Sequence, residues 1–138
     1  MAAVILAIPS VITWLGTGQQ IRVQLLSREY AHDPSRIPGR AVILDADRLS
    51  GPLMVRTWQP GDRFCPLGMK GRSKKLQDFF TDLKVPIEKR TTVPILAAPE
   101  GIVWVVGYRQ DERFAARAST RHYVVVSVAD QSVKEGVR

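Results

Sequence analysis

The sequence predicts an α+β fold in which β-structure dominates: a barrel-like mixed sheet with one clear amphipathic helix at about Ser73 to Val85. Short runs rich in Val, Ile, Leu and Trp recur along the chain, separated by Gly, Pro, Ser and Asp clusters, which is the pattern of strands and turns. Only one stretch carries a helical period: Leu76, Phe79, Phe80 and Leu83 fall at i, i+3, i+4 and i+7. A length of 138 residues suits one core, since domains most often run to roughly 100 to 150 residues. A hydrophobic fraction of 45% and a charged fraction of 24% place the chain with globular rather than disordered proteins.

The uncharged run Met1 to Ile21 has the length of a membrane-spanning helix, roughly 20 residues. Pro9, Ser10, Thr13, Gly16, Thr17, Gly18, Gln19 and Gln20 interrupt it, and no Lys or Arg precedes it as an export signal requires. It reads instead as strands at Val4 to Ile8 and Val11 to Leu15. Gly16-Thr17-Gly18 is then turn chemistry before Ile21 to Leu25, a hairpin pattern. His32 to Arg40, with Pro34, Pro38 and Gly39, reads as a loop leading to a strand at Ala41 to Leu44, which Asp45 and Asp47 close. After Ser50-Gly51-Pro52, the run Leu53 to Trp58 alternates as a half-buried strand. Pro99-Glu100-Gly101 is a turn before Ile102 to Val106, and Tyr123 to Val128 is a last apolar run. Residues 1–128 are expected to form one domain, with a frayed tail at 129–138.

In the helical segment, Pro86 supplies the stop and Ser73 a plausible N-cap. That placement puts Lys74 and Lys75 in the first turn, where the helix dipole disfavours each cation by about 0.3–1 kcal/mol. A bound anion reverses the sign, because free N–H groups at a helix start already suit a phosphate. Upstream, Arg63 to Lys75 holds five basic residues (Arg63, Lys70, Arg72, Lys74, Lys75) and no acidic one, with Gly68 and Gly71 allowing close backbone approach. Gly61 to Arg90 carries eight basic against four acidic residues, net +4 of the chain's +7. Focused positive charge points to an anionic partner, with nucleic acid foremost.

These residues resemble a known family. Pro60-Gly61-Asp62-Arg63-Phe64, Pro66-Leu67-Gly68-Met69-Lys70-Gly71, Lys74-Lys75-Leu76 with Asp78-Phe79-Phe80, and Lys84-Val85-Pro86 are similar to the C-terminal domain of tRNA(Ile)-lysidine synthetases. Arg90, Pro94, Val103-Trp104-Val105-Val106-Gly107, Arg109 and Asp111-Glu112-Arg113-Phe114 continue the pattern, and Leu44-Asp45-Ala46-Asp47 with Gly51-Pro52-Leu53 leads into it.

The resemblance implies a cytoplasmic tRNA-modification enzyme, a ligase. Such an enzyme uses ATP with magnesium to join lysine to the wobble cytidine of an isoleucine tRNA. It implies that the C-terminal domain grips the tRNA acceptor arm while a separate N-terminal domain performs the chemistry. That domain's Ser-Gly-Gly pyrophosphate loop does not occur here, so the resemblance implies no cofactor and no catalytic residue in this chain. Its expected partners are the tRNA and the catalytic domain, with no membrane. The candidate tRNA contacts are Arg63, Lys70, Arg72, Lys74 and Lys75, with Lys84, Lys89, Arg90, Arg109 and Arg113 as a second rank. Asp62 or Asp111 could hold Arg63 in an ion pair.

Other residues carry plainer expectations. Phe79, Phe80 and Trp104 read as core, whereas Trp58, between a strand and the basic loop, is placed to stack on a base if its ring is exposed. Asp45 and Asp47 read as turn caps. His32 and His122 lack ligand-spaced partners, so no metal site is expected. Cys65, the sole cysteine, rules out an intrachain disulfide and reads as structural, which fits a cytosolic setting. Two other classes compete: a basic β-rich interaction or structural domain without RNA specificity, and an enzyme acting on a phosphorylated small molecule at Gly68 to Lys75. No general base, nucleophile or metal cluster accompanies that loop to support the enzyme.

Overall fold

The computed structural model describes residues 3–31 and 40–130. The first sheet contains β1 (Val4–Leu6), β5 (Leu53–Arg56), β8 (Ile95–Ala98), β9 (Gly101–Val105) and β10 (Arg109–Gln110), in that spatial order. The second contains β2 (Ser10–Thr13), β3 (Gln20–Leu26), β11 (Tyr123–Ala129) and β4 (Arg40–Asp45). A short ribbon joins β6 (Arg63–Phe64) to β7 (Lys74–Lys75). The helices are α1 (Arg28–Ala31), α2 (Leu76–Asp82) and α3 (Ile87–Arg90). The β-dominated α+β class is the one predicted. The strand pairs are all antiparallel and divide between two sheets and the β6–β7 ribbon, where a single mixed sheet was expected.

One core lies between the sheets. Ile21 and Val23 of β3, Val42 and Leu44 of β4, and Val124, Val126 and Val128 of β11 meet Leu53, Val55, Leu96 and Val103 across it. Alternation along β3, β4 and β5 puts these residues on one face. A second core covers the other face of the first sheet, where Phe64, Leu76, Phe79, Phe80 and Val85 pack on Ile95, Ile102 and Val105. The centre of the first sheet, at β8 and β9, is therefore buried on both sides. That explains why β8, with all four residues buried, shows no alternation and was not anticipated as a strand. Between β8 and β9 the register shifts at Leu96/Ala97, leaving Val103 as an extra residue, so consecutive Val103 and Trp104 both enter the first core.

The hairpin expected around Gly16-Thr17-Gly18 forms between β2 and β3, closed by Trp14 N–H donating to Gln19 O at 2.8 Å. The N-terminal run is divided between sheets: β1 pairs with β5, and no helix among the described residues is long and apolar enough to cross a membrane. Of the predicted loop at His32 to Arg40, residues 32–39 lie outside the described residues, as does the tail from 131 on, and Arg40 already begins β4. Ala129, assigned to that tail, instead ends β11 and pairs with Gln20.

The helix is shorter than predicted at both ends. Ser73, Lys74 and Lys75 precede it, with Lys74 and Lys75 extended in β7 opposite Phe64 and Arg63. Lys75 occupies the N-cap position without a side-chain cap, so neither lysine lies in the first turn and the expected clash with the helix dipole does not arise. At the other end the helix stops before Pro86. Val85 N–H bonds to Phe80 O at 3.0 Å and Lys84 N–H to Thr81 O at 3.0 Å, the paired bonds of a Schellman motif. Lys84 takes the left-handed conformation this stop requires, with φ 58°. Leu83, the fourth residue of the predicted apolar face, is exposed past the last turn. Pro86 instead begins α3, accepting bonds from Lys89 and Arg90.

Candidate nucleic-acid interface

Three features make the segment from Phe64 to Lys75 a rigid platform. Its two ends are clamped by the β6–β7 ribbon, and Leu76 N–H continues the clamp by donating to Asp62 O at 2.9 Å. Between those ends the backbone folds into successive turns, with Met69 N–H on Pro66 O and Arg72 N–H on Met69 O. Gly68 (φ 94°) has open space around its α-carbon, so backbone conformation and not crowding calls for glycine there.

The third feature is Asp111, which is fully buried. One carboxylate oxygen accepts from Cys65 N–H at 2.8 Å and from the Arg113 guanidinium at 2.8 Å. The other accepts from Arg113 N–H and Nε–H. Leu67 N–H bonds to Gln110 O and Glu112 N–H to Cys65 O, so the strand end carrying Asp111 is stitched to the start of the basic loop. A carboxylate buried this deeply is held by charge-assisted bonds on both oxygens. The same bond holds the Arg113 guanidinium above its ordinary pKa, burial working against it.

This scaffold brings Arg63, Arg72, Lys74 and Lys75 around one open depression of about 540 Å³, together with Met69, Ser73, Asp78 and Asp82. Arg63 Nε–H donates to Ser73 Oγ at 2.9 Å, giving Ser73 a different role from the N-cap predicted for it. Neither acid suspected of pairing with Arg63 does so: Asp62 is taken bidentately by Arg56 at 2.9 and 3.1 Å, and Asp111 by Arg113. Lys74 forms an ion pair with Asp82. Lys70 stands on the exposed loop with φ 55°. The depression is thus lined by four cations and two carboxylates.

The second-rank residues are dispersed. Arg90 donates to Val85 O at 2.8 Å and lies 5.8 Å from the Phe80 ring centre, while Arg109 lies 5.8 Å from that of Phe79. Lys84 stops α2, and Lys89 faces a separate cavity. Trp58 is half-buried and packs against the second core, so the exposed stacking platform considered for it is not formed. It lines a small pocket of about 80 Å³ beside Arg63 and Lys75. Phe79, Phe80 and Trp104 are core, as expected. Asp45 caps the 3₁₀ turn Ala46–Arg48 and also accepts from Thr120, and Asp47 meets His122 at 3.1 Å. Sequence reasoning missed the anchoring by Asp111; its one signal was an acid standing between Arg109 and Arg113.

A family model described as the TilS substrate C-terminal domain matches residues 53–127, which include the basic loop, α2 and the Asp111 anchor. The chain belongs to this family. Among relatives of the TilS C-terminal domain, a tRNA(Ile)-lysidine synthase from Symbiobacterium thermophilum is 52% identical over 95 residues, covering 69% of this chain and 20% of that protein. One from Caldanaerobacter subterraneus is 38% identical over 127 residues, covering 88% and 26%. The chain therefore spans about a fifth to a quarter of these relatives. A crystal structure of a TilS C-terminal domain superposes with a TM-score of 0.78 at 27% identity, covering 94% of this chain and 96% of that one. An N-terminal fragment of the phenylalanyl-tRNA synthetase beta-subunit from Pyrococcus horikoshii gives a TM-score of 0.51 at 18% identity over 75% of this chain and 32% of that one, a likeness of fold alone.

Proposed function

We propose that this chain is the tRNA-gripping C-terminal domain of a cytoplasmic tRNA(Ile)-lysidine synthase, holding the acceptor arm of an isoleucine tRNA. The ATP-dependent joining of lysine to the wobble cytidine then takes place elsewhere in the protein. The observation that carries this reading is the convergence of Arg63, Arg72, Lys74 and Lys75 on one open depression of an anchored loop. Duplex RNA hides its bases in a deep, narrow major groove and offers phosphates, 2′-hydroxyls and shape. Cations on a pre-formed backbone suit that target, because their geometry is set before the RNA arrives. Lys70, at the loop surface, extends the same positive face. Of the dispersed cations, Lys84, Lys89, Arg109, Arg90 and Arg113 are proposed as peripheral contacts. Arg113 combines that role with holding Asp111, and Arg90 with holding Val85 O.

The chain's own residues do not fit ATP at its one candidate Gly-Thr-Gly turn. Thr17 N–H and Gly18 N–H both donate to Trp14 O, and the Thr17 hydroxyl to Gln19, so the groups that would cradle a phosphate are spent on the turn. The reading as a basic interaction domain without RNA specificity separates from this one by direct binding. In a fluorescence titration with isoleucine tRNA, an acceptor-stem hairpin and duplex DNA, tRNA and hairpin should bind more tightly than DNA. Equal affinity for all three would reduce the surface to a non-specific polycation, and binding to none would refute the assignment.

A further inference from the structure

A second cavity, of about 370 Å³, opens where the β2–β3 turn, the start of β4, the segment after α3 and the β9–β10 turn meet. None of its lining residues belongs to the depression around the basic loop. Two cations from separate elements face it, Arg40 from β4 and Lys89 from α3. Tyr108 presents a partly exposed ring (38%), steadied edge-on against Phe80 with centroids 6.1 Å apart. The Arg40 guanidinium lies directly over Gly107, where a β-carbon would stand 3.3 Å from its NH1; glycine at this positive-φ turn makes that seat possible. The floor is firm: Trp14 Nε1–H donates to Thr92 O at 3.0 Å, Val106 N–H to Pro94 O, and Tyr108 N–H to Val105 O. The hydroxyl-bearing Thr17 and Thr92 also face the cavity, with Asp130 as the single carboxylate among its described lining residues.

We propose that this cavity binds one nucleoside monophosphate unit, its base stacked on Tyr108 and its phosphate held by Arg40 and Lys89. Ring and cations in one cleft are the two tools that sequence-tolerant single-strand sites combine. The carboxylate of Asp130 repels a second phosphate and accepts from sugar hydroxyls or base amino groups, which favours a monophosphate over a polyphosphate. The unit can come from two sources, an unpaired residue of an RNA chain or a free nucleotide. The proposal stands independently of the role given to the basic loop.

The test is an amide-shift NMR titration of the full 138-residue chain with AMP, CMP, ribose 5-phosphate and inorganic phosphate, followed at Gly107 and Thr92. AMP and CMP should displace these signals, with ribose 5-phosphate about tenfold weaker for want of a base to stack. Tyr108→Leu should bring AMP down to the level of ribose 5-phosphate, and Arg40→Gln should weaken all the phosphates together. The Arg40 variant keeps the test decisive if the tyrosine variant is poorly folded. Binding of ribose 5-phosphate as tight as that of AMP, or shifts that survive both substitutions, would overturn the proposal, as would silence at Gly107 and Thr92. A single-stranded tetranucleotide binding more than tenfold tighter than AMP on the same signals supports an RNA residue as occupant; equal binding supports a free nucleotide.

Discussion

Lys84 holds a left-handed backbone conformation that glycine adopts without strain, at the position where helix stops favour glycine. Lys84→Gly is therefore expected to raise stability by about 0.5–1 kcal/mol, read as a higher denaturant midpoint at unchanged slope. Glu100 gives a second test at this scale. Hydrogen bonding from the Ser50 side chain above all, then from its own backbone N–H and from Ser50 N–H at 2.8 Å, lowers its pKa below the ordinary carboxylate value. A depressed folded pKa means the contact contributes above the unfolded value and is lost as pH falls through the folded one. The melting temperature should thus drop on acidification below about pH 4.5 by more in the parent chain than in Glu100→Gln. Parallel profiles would show that the contact is idle.

Among elements, the basic loop depends on the strand end at Asp111 more than on its own sequence. Asp111→Ala leaves Cys65 N–H and the Arg113 guanidinium without their partner; because Arg113 is itself about half exposed and regains water, the loss is that of the orphaned buried bonds, about 1–3 kcal/mol. Thermal unfolding should register that loss, and Asp111→Asn, which keeps the shape and one acceptor, should lose less. Equal stability of all three proteins would contradict the anchoring role. This dependence also explains what was legible beforehand. Strands with one face on the core showed beforehand, β3 and β5 in their alternation and β4 as a short apolar run, and the turns at Gly16 to Gly18 and Pro99 to Gly101 in their residue types. β8, buried on both faces, gave no period, and the ribbon of β6 and β7 is too short to have one. Lys74 and Lys75 were read as helix because the apolar period begins at Leu76 and Ser73 is a good cap; the long-range pairing with Arg63 and Phe64 overrode that local preference. The cluster of cations was visible as a count along the chain. Which acid held which base was not, since the pairings of Arg56 with Asp62 and of Arg113 with Asp111 depend on how the turns after β5 and β10 fold.

For the molecule as a whole, the two sheets and the α2 layer leave the basic depression on one side and the Tyr108 cavity as a separate opening. The central claim is that the depression grips RNA through its phosphates, and salt tests that most directly. The affinity of the chain for an isoleucine tRNA, measured by fluorescence anisotropy across a salt series, should fall linearly in log–log form. Replacing Arg72 and Lys75 by Ala should reduce the slope by about 1.4–1.8, one phosphate contact for each residue, while leaving the melting temperature unchanged. A slope identical to that of the parent chain, with the fold intact, would place the RNA elsewhere on the molecule.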